Sequence, residues 1–277
     1  MNGSLEKIFF FSGSNQRKLL GILYQPNPLH ARQTGIVYCH PFAEEKNMSH
    51  SVAVKALRSF VNMGYPVFRF DMSGCGDSEG NLEDVALQSW QEDLDAAIKV
   101  FKQDTGIEKV ALFGLRLGGA LALLHTIRCT GIAFLILWEP VRDLSLFIKQ
   151  FIRRMISAQI VTSAEDRTTV SALENQLNTQ GIVNVIGYPI TKGLFESFCM
   201  VSQEPSRLIP QCPTLVLSIS LMNKPTQQWI NFSNFLKSDG SDVCFDHIKA
   251  EPFWDRYWRW ECPEAVHCTV QWLSDKG

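Results

Sequence analysis

Val110-Ala-Leu-Phe-Gly-Leu-Arg-Leu-Gly-Gly119 is an apolar strand run into a sharp turn, with small residues opening a helix from Ala120 to Ile127. Glycines 114 and 118 let the backbone bend tightly, and the residue midway between them projects over the sheet edge at a helix N-terminus. A strand, a Gly-X-X-X-Gly turn and a small-residue helix are the parts of a nucleophile elbow. The midway residue is Arg116. A guanidinium stays protonated and cannot attack a carbonyl, so covalent catalysis of the usual kind is excluded at this position.

Strand and helix signals alternate on both sides of this stretch. Upstream, Thr34–Cys39 is a short apolar strand ending at His40-Pro41, Met48–Val61 is an amphipathic helix stopped by Gly64, and Tyr65–Phe70 is the next strand. A Gly-rich loop, Asp71-Met-Ser-Gly-Cys-Gly-Asp-Ser-Glu-Gly80, and a helix from Trp90 to Phe101 lead to the strand Glu108–Phe113. Downstream, Gly131–Leu137 is a strand. Apolar strands alternating with helices predict a parallel sheet covered on both faces. The middle of the chain loses the alternation. Ser145–Ile160 reads as an apolar-basic helix, Ser171–Asn178 as a polar helix, Ile182–Tyr188 as a strand and Thr191–Met200 as a helix. The pattern then resumes with the strand Pro213–Ile219, a helix near Thr226–Lys237, the strand Asp242–Ala250 and a last helix from Pro263 to Leu273. Residues 1–277 therefore read as a single domain, with a helical cap inserted over the strand ends at approximately 142–205.

The 277 residues are 45% hydrophobic, 19% charged and 11% aromatic, enough to bury a sizeable core without staples. A net charge of −2 supplies no basic field, which argues against nucleic acid as a partner. No apolar run approaches a membrane span, and no basic start followed by a long apolar stretch marks a secretory signal, so no stable membrane insertion is expected. Eight cysteines without a C-x-x-C pair, several in apolar strands (Cys39, Cys244), read as reduced, mostly buried thiols in a cytoplasmic protein. No metal-ligand spacing is visible and no metal is assigned. The loop after Phe70 has Glu79 where a dinucleotide fingerprint needs its third glycine, so no cofactor is implied.

Further landmarks point to the α/β-hydrolase fold, a mostly parallel central sheet with helices on both faces. Tyr38-Cys-His-Pro-Phe42 stands where that fold places an oxyanion-hole turn; Pro41 has no N–H, but Phe42 has one, and the N–H of Leu117 follows the elbow residue. An acid and then a histidine should follow the later strands. No Asp or Glu occurs in Leu221-Met-Asn-Lys224, and no His in Glu251-Pro-Phe-Trp254. His247 lies inside a strand and His267 on the last helix, so no catalytic residue is assigned.

The motifs His40-Pro-Phe-Ala-Glu-Glu-Lys-Asn47, Gly74-Cys-Gly-Asp-Ser78, Gly114-Leu-Arg-Leu-Gly118, Trp138-Glu-Pro-Val141, Gly187-Tyr188 and Pro252-Phe-Trp254 occur in order. Together they closely resemble the second type of exosortase A system-associated hydrolase of Gram-negative bacteria, over nearly the whole chain. The resemblance implies a cytoplasmic α/β-hydrolase-fold protein working beside exopolysaccharide and protein-sorting machinery. The family's name rests on fold similarity, which does not settle function.

Three readings of the site remain open. In the first, Arg116 grips a small anionic molecule such as a sugar acid or phospho-sugar, beside the N–H groups of Phe42 and Leu117 and with Trp254 nearby. The bland version of the same position is an internal ion pair of Arg116 with Glu44, Glu45 or Glu139. In the second, His40 with Glu44 or Glu45 hydrolyses or transfers an ester-type substrate without an acyl-enzyme; Cys39 and Cys75 lack a matched His. In the third, the run Phe253-Trp-Asp-Arg-Tyr-Trp-Arg-Trp260 anchors a partner protein or a homodimer, and Ile152-Arg-Arg-Met-Ile156 touches a membrane surface.

Overall fold

A computed structural model describes residues 5–162, 169–201, 209–238 and 240–275. The chain order is β1 (Leu5–Ser12), β2 (Lys18–Gln25), β3 (Thr34–Cys39), α1 (Glu44–Asn62), β4 (Val67–Phe70), α2 (Leu87–Thr105), β5 (Lys109–Leu115), α3 (Leu117–Arg128) and β6 (Ile132–Trp138). An insertion then carries α4 (Leu144–Thr162), α5 (Val170–Gln180), β7 (Ile182–Val185), β8 (Tyr188–Thr191) and α6 (Lys192–Val201). β9 (Thr214–Ser220), α7 (Gln227–Leu236), β10 (Val243–Lys249) and α8 (Pro263–Ser274) complete it.

The main sheet has eight strands in the order β1-β2-β4-β3-β5-β6-β9-β10. Only β1–β2 and β2–β4 pair antiparallel; the remaining neighbours are parallel. Side chains alternate between two cores, as the pleat requires. Val37 and Leu112 face the layer of α2, α3 and α7, whereas Ile36, Ala111 and Phe113 face α1 and α8. Both sets are fully buried, which is why the strands read as continuous apolar runs.

The structure departs from the sequence reading in three places. The antiparallel pair β1–β2 lies ahead of the first strand recognised in the sequence; its outer face leaves Ile8 and Phe10 more than half exposed, Leu5 is exposed at the strand's start, and Phe11 turns into the core. The run Ile182–Tyr188 is a hairpin rather than one strand, because Ile186 and Gly187 adopt φ of 52° and 88° and reverse the chain. Cys244 is exposed, since β10 is the sheet's edge strand; Cys39 is buried. Of the cap expected over 142–205, residues 163–168 and 202–205 lie outside the described residues. No helix among the described residues is long and apolar enough to cross a membrane.

Candidate functional site: the strand ends around Arg116

The turn from β5 into α3 is closed by backbone contacts that admit no side chains. A Cβ on Gly118 would stand 2.0 Å from the carbonyl oxygen of Cys39, and one on Gly114 2.4 Å from the Cα of Gly119. Arg116, between them, takes φ 54° and ψ −118°, a region costly for a residue with a Cβ. Its backbone is over-determined: the N–H donates to the Trp138 carbonyl at 3.0 Å, and its own carbonyl accepts from Gly119, Ala120 and Val141. The side chain is thereby presented at the C-terminal ends of the strands.

A second turn of the same kind faces it. Ala43 has φ 52° and ψ −134° and starts α1 four residues ahead of the sequence expectation, so Glu44 and Glu45 sit in its first turn. A carboxylate is favoured there by the unpaired amides and helix dipole. Glu45 is 3% exposed. Its Oε2 and Oε1 accept from Arg116 Nε and Nη2, both at 3.2 Å, a two-point grip of guanidinium on carboxylate. Arg154 of α4 approaches Oε1 at 3.5 Å from the cap side. Arg116 also donates through Nη1 to the Glu139 carbonyl at 3.4 Å and lies over the ring of Trp254 at 5.1 Å. Of the three acids near the strand ends, Glu45 is the one whose carboxylate pairs with Arg116.

The other expected residues have separate tasks. Glu44 accepts from Tyr188 on β8 at 2.9 Å and from Tyr257 at 3.1 Å, tying the cap hairpin and the C-terminal loop to α1. His40 is buried, with Nδ1 2.6 Å from the Pro41 carbonyl and Nε2 accepting from the Met72 N–H at 3.2 Å. Burial, helped by Lys46, pushes it down to about 4, so it is a neutral ring holding its turn. The Phe42 ring sits among Trp90, Phe151 and Tyr188, filling the space beneath the cap. Leu117 is buried as the first residue of α3. Trp254 is 6% exposed and packs on Phe253 as well as Arg116. Burial raises both Cys39 and Cys75, the latter to about 12, so neither thiol is activated.

Beside Arg116 a cavity of about 320 Å³ opens between α4 and α7. Its polar wall includes Arg116, Glu139, Arg142, Asp143, Gln150 and Gln228, with Phe147 and Trp229 as apolar surfaces. Glu139 follows β6 with φ 43°, and its Oε2 accepts from the Ile219 N–H at 2.5 Å. Burial nevertheless pushes this carboxyl up to about 7, against the pull of the Ile219 amide, Arg116 and Arg142. Arg142 stacks 4.4 Å over Trp229 and donates to Gln228 Oε1 at 3.2 Å. Arg142, Gln228 and Trp229 escaped the sequence reading because α7 returns to the strand ends only through tertiary packing. So did a hydrogen-bonded pair one strand further on: Ser218 Oγ lies 2.8 Å from His247 Nδ1, and His247 Nε2 3.0 Å from the Met222 carbonyl. With Nε2–H donating to that carbonyl, Nδ1 accepts from the serine hydroxyl. Ser218 is 1% exposed, which denies a substrate access to it.

Residues 31–182, more than half of the chain, match the family described as serine aminopeptidase, S33. The chain belongs to this family. Palmitoyl-protein thioesterase ABHD10 of Rattus norvegicus is 26% identical over 122 residues, which are 42% of this chain and 39% of that protein. The chain thus matches about two fifths of that relative's length. Among solved structures, the S33-family chain resembles Est1E from Butyrivibrio proteoclasticus with ferulic acid bound, at TM-score 0.66 and 14% identity, covering 97% of this chain and 98% of the other. It also resembles mouse alpha/beta hydrolase domain-containing protein 10, at TM-score 0.61 and 17% identity, covering 97% of each. At these identities the likeness establishes the α/β-hydrolase fold. In this S33-family member the turn between β5 and α3 carries Arg116.

Proposed function

We propose that this chain is a triad-less α/β-hydrolase-fold protein that binds a small anionic molecule of the sugar-acid or phospho-sugar class without forming an acyl-enzyme. The observation that carries the reading is the elbow apex itself, where Arg116 is gripped at two points by Glu45 at 3.2 Å. Attack from that apex would need a hydroxyl, thiol or carboxylate. The ligand belongs in the adjoining cavity of about 320 Å³. Arg142 supplies its cation, held in the cavity wall by its stacking on Trp229 and its hydrogen bond to Gln228. Gln150 and Gln228 offer neutral hydrogen-bonding groups suited to hydroxyls, and Trp229 a flat apolar wall. In this reading Arg116 forms one wall of the pocket, while His40, Phe42, Glu44, Glu45, Leu117 and Trp254 hold the turns and loops around the strand ends without lining it. The motifs shared with exosortase-associated hydrolases support placing the ligand in exopolysaccharide or protein-sorting metabolism.

Calorimetric titration with sugar acids and sugar phosphates tests this. The expected result is saturable binding that Arg142→Ala weakens about tenfold, one charge-assisted contact's worth, with the melting temperature unchanged. Labelling by a fluorophosphonate would overturn it.

One observation favours a second, catalytic reading. Glu139, held near 7 in the same cavity, has the acidity of a general base at neutral pH. The similarity to a palmitoyl-protein thioesterase makes acyl thioesters the first substrates to try. Thioester turnover that disappears in Glu139→Gln would establish that reading and displace the binding one.

A further inference from the structure

His125 and Cys129 stand four residues apart at the end of α3, and Asp95 meets them from α2. His125 Nδ1 lies 3.0 Å from Asp95 Oδ1. Both atoms are buried, yet neither makes a hydrogen bond. The oxygen is therefore close to the imidazole nitrogen but off the axis along which an N–H would point. Two donors take up a similar relation when they share an ion instead of a proton: each sits about 2.0–2.2 Å from the metal, and the two lie roughly 3–3.5 Å apart. Cys129 Sγ completes the group, and all three donor atoms lie within 4.8 Å of one another.

We propose that Asp95 Oδ1, His125 Nδ1 and Cys129 Sγ bind a divalent cation, zinc by the mixture of oxygen, nitrogen and sulfur donors, with water in the fourth position. Asp95 is oriented for the task from behind: its Oδ2 accepts from Arg128 Nη2 at 2.9 Å, and Arg128 Nη1 is itself held by Gln91 Oε1. Such outer partners fix ligand geometry. The Asp95 side chain is 41% exposed, leaving a path for the ion and its water. The site lies at the far end of α3 from Arg116, about 18 Å along the helix, so the metal would clasp α2 to α3 rather than enter the strand-end cavity. On binding, the Cys129 thiol gives up its proton to solvent and the thiolate takes the metal.

The test uses the full chain, freed of metal and kept reduced, titrated with cobalt(II) and then zinc(II). One equivalent of cobalt is expected to give a thiolate-to-cobalt charge-transfer band in the near ultraviolet, which zinc abolishes. Cys129→Ser should remove the band, and the near-isosteric Asp95→Asn should weaken zinc binding about tenfold or more. Zinc should raise the melting temperature of the wild-type chain and leave that of Cys129→Ser unchanged. Failure of the wild-type chain to take up one equivalent at micromolar concentrations, or a band that survives in Cys129→Ser, would overturn the proposal.

Discussion

Glu45 receives two guanidiniums from opposite sides, Arg116 from the elbow at 3.2 Å and Arg154 from α4 at 3.5 Å. The two contacts are unequal. The side chain of Arg116 is 16% exposed and that of Arg154 48%, so solvent screens the second pair far more than the first. Removing one member of a buried pair strands the other's charge, a loss of roughly 3–5 kcal/mol in well-buried cases. Arg116→Met should therefore cost about 3 kcal/mol, with Arg154 offsetting part of the full penalty. The double variant Arg116→Met/Glu45→Gln, with no charge left to strand, should lose less than the sum of the two single variants by at least about 1 kcal/mol. Urea unfolding of the four proteins reads this directly, and additive losses would show that the pair is not coupled. The same contacts explain how a cation is tolerated at the apex of a fold that usually keeps its nucleophile there: the acid that neutralises it lies in the first turn of α1.

At the scale of elements, the turn that places Arg116 stands on glycines with nothing to spare, one of them packed against the end of β3. Gly118→Ala would push a methyl group into the backbone of β3, 2.0 Å from the Cys39 carbonyl oxygen, which no side-chain rotation can relieve. It should cost more than about 3 kcal/mol or prevent folding. Gly193→Ala, in α6 with open space around the new methyl, should instead add a few tenths to about 1 kcal/mol. Thermal melts of the two variants separate close approach from helix propensity; equal effects would refute the distinction. This elbow was legible in the sequence because Gly114 and Gly118 flank a strand-to-helix turn, a short-range signal. Strands β3–β6 and β9 were legible because burial on one or both faces makes them apolar runs. The pair β1–β2 was not, since its outward residues Ile8 and Phe10 break the alternation of polar and apolar faces. The hairpin β7–β8 was missed because Ile186 takes a positive φ usually left to Gly or Asn. For the site, proximity of Arg116 to Glu44, Glu45 and Glu139 followed from strand order. Which acid closes the pair did not, because the choice depends on where α1 begins. Arg142, Gln228 and Trp229 converge from elements more than 80 residues apart, a placement that local pattern does not encode.

For the whole molecule, two buried groups bend the pH dependence in opposite directions. His40 has its folded value lowered from 6.5 to about 4, so its contribution to stability is complete above pH 6.5 and is lost as the pH falls toward 4. Glu139 has its folded value raised from 4.5 to about 7, so its contribution is complete below pH 4.5 and is lost as the pH rises through 7. Between pH 4.5 and 6.5 the two slopes offset each other. Glu139→Gln keeps an oxygen to accept from the Ile219 N–H and deletes the second slope. The variant should match the wild-type chain near pH 4.5, gain stability steadily to pH 6.5, and exceed it by on the order of 1–3 kcal/mol at pH 8. Ligand binding should carry the same signature, because protonating Glu139 removes a negative charge from the cavity that Arg142 lines. With a sugar acid, whose own carboxylate stays ionised from pH 5 to 8, affinity in the wild-type chain should thus rise as the pH falls through about 7, while that of Glu139→Gln stays level across the same interval. Denaturation midpoints and calorimetric affinities at pH 5, 6, 7 and 8 give both profiles. A stability difference independent of pH would remove Glu139 as the titrating group, and a level wild-type affinity would detach the anion from this cavity.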